Sequence, residues 1–87
     1  MPPQQVWPEW WDWEFEYTYH ILKRMVDRRF SQTDLRIMFQ DAVGYRMDEE
    51  PGRWVILTNW NGHKWEIIVE PDKQLRCLVL VTAYMVE

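Results

Sequence analysis

Apolar and polar residues alternate from residue 12 to residue 17. Trp13, Phe15 and Tyr17 fall on one side, and Asp12, Glu14 and Glu16 on the other. A period of two predicts a half-buried strand whose acidic outer side suits a sheet edge. From residue 19 the period changes. At 100° per residue, Ile21, Leu22, Met25 and Val26 fall within an arc of about 140°, opposite His20, Lys23, Arg24, Asp27 and Arg28. This predicts an amphipathic helix over 19–28 with the four apolar residues facing a core and Thr18 as N-cap. Ser31 and Asp34 have capping-box spacing, with Asp where Glu or Gln is usual. They open a second helix over 32–42, with Leu35, Met38, Phe39 and Ala42 inward and Ile37 outward. Gly44 stops it.

The period of two then returns. Residues 45–48 read as a short strand, and Glu50-Pro51-Gly52-Arg53 as a type II turn. Residues 53–60 and 63–70 are strands joined by Asn61-Gly62, a strong two-residue hairpin signal. Pro71, Asp72 and Lys73 make the next turn. Residues 75–84 form a strand that is apolar on both faces through Cys77–Val81, as in the middle of a sheet. Strict alternation along it sets Thr82 and Tyr84 on the side of Leu78 and Leu80. The order β-α-α-β-β-β(-β) predicts an α+β fold: an antiparallel twisted sheet with two helices on one face. Residues 1–11, with three prolines, read as an extended Trp/Pro-rich lead-in to a single domain over 12–87.

Composition narrows the chemistry. A chain of 87 residues buries only ~60–65% of the surface its unfolded form exposes, so seven tryptophans matter to its core. One cysteine and two histidines, with no CxxC pair, disfavour a disulfide frame or a structural zinc site. No cofactor motif is present; three glycines build neither a Walker loop nor a dinucleotide fingerprint. No apolar run is long enough to span a membrane, and no basic residue precedes Lys23 to mark a signal peptide. The expectation is a cytoplasmic protein. The single serine, Ser31, is assigned to a helix cap, which removes serine-hydrolase chemistry. Net charge is −4, yet residues 20–36 carry five basic and two acidic residues, leaving +3 there and −7 elsewhere. A general coating of nucleic acid, DNA included, is not expected from such a balance; residues 20–36 make either one compact basic patch or a solvated helix face.

Four motifs in order carry a resemblance. They are His20 followed by Lys23-Arg24-Met25 and Arg28, then Gly52-Arg53-Trp54, then Trp65 with Val69-Glu70-Pro71-Asp72, and finally Val81-Thr82-Ala83-Tyr84. Across residues 13–87 the chain resembles the small "domain of unknown function" family numbered 4258, whose members are similar to the RelE/ParE-like toxin fold. The resemblance implies a toxin-type endoribonuclease held in check by an antitoxin-like protein. At Arg29 the family commonly has Gly, which implies a rearranged helix end here.

Metal-free RNA cleavage needs a base for the ribose 2′-proton, a cation for the phosphate and an acid for the leaving oxygen. His20 is the candidate base and Tyr84 the candidate acid, with Arg53 completing the catalytic set. Arg24, Arg28, Lys23 and Thr82 are the candidate phosphate ligands. This reading requires the side chains to converge on one surface. The competing reading is a non-catalytic interaction module, self-associating or binding a partner through Trp7, Trp10, Trp11 and Trp60. It expects an exposed apolar patch containing some of those tryptophans, whereas the alternative is that the lead-in tryptophans fold back over the helices or sheet. Cys77 is expected to be an inert core thiol, and His63 a hairpin residue.

Overall fold

The computed structural model describes residues 7–86; the first half of the proline-rich lead-in lies outside the described residues. A 3-10 turn, Glu9–Asp12, leads into strand β1, Glu14–Tyr17. Helices α1, Tyr19–Arg28, and α2, Gln32–Gln40, follow. Strands β2, Gly44–Met47; β3, Trp54–Trp60; β4, His63–Asp72; and β5, Cys77–Met85, complete the fold. The five strands form one sheet in the order β1-β5-β4-β3-β2. The fold is α+β, and the sheet is mixed: β1 runs parallel to β5, while every other pair is antiparallel.

The local signals act as the chemistry requires. Thr18 Oγ1 accepts the Ile21 N–H at 3.1 Å. Ser31 and Asp34 close the capping box, at 3.1 Å from the Asp34 N–H to Ser31 Oγ and 2.8 Å from the Ser31 N–H to the Asp34 carboxylate. Asn61 and Gly62 both take positive φ, as the tight hairpin between β3 and β4 demands. The β4–β5 turn falls later than the Pro71–Lys73 pattern predicts. Pro71 and Asp72 stay in β4, and the Asp72 carboxylate caps the Gln74 and Leu75 N–H groups at 3.1 Å.

Arg29 does not rearrange the end of α1. It adopts the left-handed conformation itself, φ 58° and ψ 46°, and its N–H bonds to the Met25 carbonyl. A side chain there costs roughly 1–2 kcal/mol that glycine would not. Arg29→Gly is therefore expected to stabilise the domain by about 1 kcal/mol, read as a raised urea midpoint.

One face of the sheet holds the core. Ile21 of α1 and Leu35, Met38 and Phe39 of α2 pack with Ile56, Trp65, Ile67, Val69, Leu78, Leu80 and Ala83. The Thr58 hydroxyl, buried on the same face, donates to the Met38 carbonyl and ties α2 to β3. The lead-in tryptophans close one end of this core. Trp10 is 4% exposed, with its ring centroid 5.9 Å from that of Trp54 and 6.1 Å from that of Tyr45. Trp11 is half-buried between Trp7, stacked at 4.3 Å, and Phe39 at 4.9 Å. Trp60 packs at the other end against Phe30 and Trp65. The expected exposed tryptophan surface of Trp7, Trp10, Trp11 and Trp60 does not form, because these rings fill the ends of a small core.

Helix α1 departs from its predicted burial. Ile21 is buried and Met25 half-buried, but Leu22 and Val26 are 42% and 78% exposed. The helix lies over β5 with Ile21 and Met25 beneath it. Leu22 and Val26 each stand 100° further round, beyond the reach of the sheet.

Candidate functional site

A β-bulge in β5 decides which residues share a surface. Ile68 pairs with Thr82 but Val69 pairs with Leu80, so Val81 is an extra residue. Leu78 and Leu80 point into the core, and after the bulge Ala83 does so too. Thr82 and Tyr84 are thereby turned to the opposite face, away from Leu78 and Leu80. The same bulge anchors α1: Thr18 Oγ1 donates to the freed Val81 carbonyl at 2.8 Å while capping the helix.

The outer face of α1 gathers four of the expected site residues. His20, Lys23, Arg24 and Arg28, with Asp27 among them, line one hollow of ≈ 430 Å³. His20, Lys23 and Arg28 are exposed, and Arg24 is half-buried. No ion pair of Lys23, Arg24 or Arg28 is found among the described residues; the two ion pairs present there, Arg46–Glu66 and Arg53–Glu70, lie elsewhere. Beside the cations runs an apolar stripe. Tyr19, 83% exposed, joins Leu22 and Val26 at i, i+3 and i+7, within an arc of about 60°. Neither the stripe nor its exposure is legible from periodicity alone, because a helix pattern does not say how much of its apolar arc a neighbour covers.

The remaining expected site residues sit across the sheet. Arg53 pairs with Glu70 at 3.2 Å on the face without helices. The Thr82 hydroxyl is buried there without a partner among the described residues, so it presents no donor to a phosphate in solvent. The Tyr84 hydroxyl donates to Glu66 Oε1 at 2.6 Å, and Arg46 Nη2 approaches both oxygens of that carboxylate at 3.5 Å. That bond, with burial adding to it, pushes the Tyr84 hydroxyl up to about 12, so it is a poor proton donor to substrate at neutral pH. His20 and Tyr84 thus do not converge. Tyr84 follows the core residue Ala83 on β5 and faces away from the helices, whereas His20 stands on the solvent side of α1.

Cys77 lies on the open face as well, half-buried rather than in the core. Its thiol donates to Glu16 Oε2 at 3.1 Å, which pushes it up to about 11. The bond favours the neutral thiol, so thiolate forms only at high pH. At pH 8 its reaction with a disulfide reagent is expected to run roughly tenfold slower than in the unfolded chain, the scarcer thiolate being offset in part by its greater nucleophilicity. Glu16→Gln is expected to recover most of that rate.

Among the described residues no group of three or more His, Cys, Asp and Glu side chains is placed to hold a metal ion, and no helix is long and apolar enough to cross a membrane. No family model, curated protein or solved structure matches the chain.

Proposed function

We propose that this chain is a protein-interaction module that docks an acidic partner through the outer face of α1. One observation carries the reading: three exposed apolar side chains share a ten-residue helix with Lys23, Arg24 and Arg28, which have no ion partner among the described residues. Exposed apolar residues rimmed by like charge fit the complementary ridge of a partner, apolar at its centre and acidic at its edges. The chain's net charge of −4 works against an extended polyanion. A footprint of three helical turns avoids that cost, because acids more than about 10 Å away are screened.

The test is site-specific photo-crosslinking in the source cells, from position 22 on α1 and from position 47 on β2, where Met47 is similarly exposed and apolar. An acidic protein captured from position 22 and not from 47, and lost as salt is raised, is the expected outcome. Capture from position 47 alone, or from neither, contradicts the reading.

A second reading has its own observation. His20, Arg24 and Arg28 border one hollow with Lys23, which suits a ribose-phosphate. In it the chain is a metal-independent endoribonuclease of a toxin–antitoxin pair. His20 takes the 2′-proton, the arginines hold the phosphate, and the acid is a group other than Tyr84. Degradation of cellular RNA on expression separates this reading from the first.

A further inference from the structure

A second hollow, of ≈ 270 Å³, lies over residues 57–59 of β3 and 64–66 of β4, with Val43 and Val86 at its sides. The register builds its floor. Leu57 stands opposite Glu66, and Asn59 opposite Lys64. Tyr84 stands beyond Glu66, and the Val86 N–H bonds to the Lys64 carbonyl at 2.8 Å. The Val43 N–H bonds to the Leu57 carbonyl at 2.8 Å and closes the β3 side.

Two charges of opposite sign share this floor without pairing to each other. Lys64 and Glu66 lie two residues apart on the same face, about 7 Å between Cα atoms. Glu66 is held by Tyr84 and Arg46, which leaves part of its acceptor capacity open. Lys64 has no ion partner among the described residues. Val43 and Val86, 65% and 48% exposed, supply apolar walls in contact with water.

We propose that this hollow binds a small zwitterion with an apolar side chain, that is, a free aliphatic amino acid. Its ammonium group meets Glu66, its carboxylate meets Lys64, and its side chain covers Val43, Leu57 and Val86. Tyr84 and Arg46 act as positioning residues that fix the Glu66 carboxylate. A phosphate ligand is disfavoured by the Glu66 charge beside Lys64. The volume falls below the range of drug-sized pockets and suits a single amino acid. This site is independent of the α1 surface.

The experiment is a methyl NMR titration of the whole chain with L-leucine, with 4-methylpentanoate, which lacks the amine, and with 3-methylbutylamine, which lacks the carboxylate. Leucine is expected to shift the Val43, Leu57 and Val86 methyls saturably, and each analogue to bind about tenfold more weakly or worse. Lys64→Met is expected to bring leucine down to the level of the amine. Glu66→Gln, which keeps an acceptor for Tyr84 and so spares the fold, is expected to bring it down to the level of the carboxylate. No saturable shift with leucine, equal binding of all three compounds, or variants that leave the ranking unchanged would overturn the proposal.

Discussion

Trp10→Ala is expected to cost about 3–5 kcal/mol of folding stability, the range for truncating a large buried aromatic. Trp10 precedes the first strand in a segment that reads as a loose lead-in, yet it is 4% exposed and meets Trp54, Tyr45 and Trp11. Removing it opens a cavity where β2 and β3 meet the 3-10 turn, and the half-buried neighbours lose an aromatic partner each. A small domain has about 5–15 kcal/mol in total, so the loss takes a large share of it. Urea denaturation of the variant beside the parent measures it directly. A cost below about 1 kcal/mol would mean that the turn merely rests on the domain and that Trp10 is free for other duty.

Lys23→Glu combined with Arg24→Glu is expected to weaken partner binding by about a hundredfold, taking roughly 1.4 kcal/mol for each reversed contact. Folding stability is expected to stay within about 0.5 kcal/mol, because neither side chain has an ion partner among the described residues and both lie mid-helix, clear of the charged ends of the helix dipole. The contrast between the two readouts is the point: Trp10 acts on the fold and Lys23 with Arg24 on the surface. Binding by the captured partner, measured by calorimetry against the parent, gives the first value, and the urea midpoint gives the second. Unchanged binding in the doubly reversed chain would remove α1 from the interface.

Much of the fold is legible because its signals are local. The Thr18 cap, the Ser31–Asp34 box and the Asn61-Gly62 turn each act within four residues, so sequence spacing alone defines them. The α+β class follows from the same marks. What stayed hidden depends on long-range pairing. The parallel partnership of β1 with β5 joins residues more than sixty apart, and alternation in β1 is the same for either direction. The candidate site depends on one further hidden residue. Counting by twos along β5 sets Tyr84 beside Leu78 and Leu80; the single extra residue at Val81 reverses that and sends Tyr84 to Glu66 instead of toward α1. Nothing in a run of Leu, Val and Thr announces a bulge. The same limit hid the α1 surface, since Leu22 and Val26 belong to the apolar arc by period and to the solvent by packing.

In the proposed reading α1 is a docking face and not half of a nuclease site. Induced expression of the chain, beside His20→Ala and Arg24→Ala, with total RNA run on a gel, tests it most directly. Normal growth and intact RNA are expected in all three, from protein shown to be soluble and folded. Growth arrest with loss of RNA that both substitutions relieve would contradict it and place a ribonuclease on the first helix.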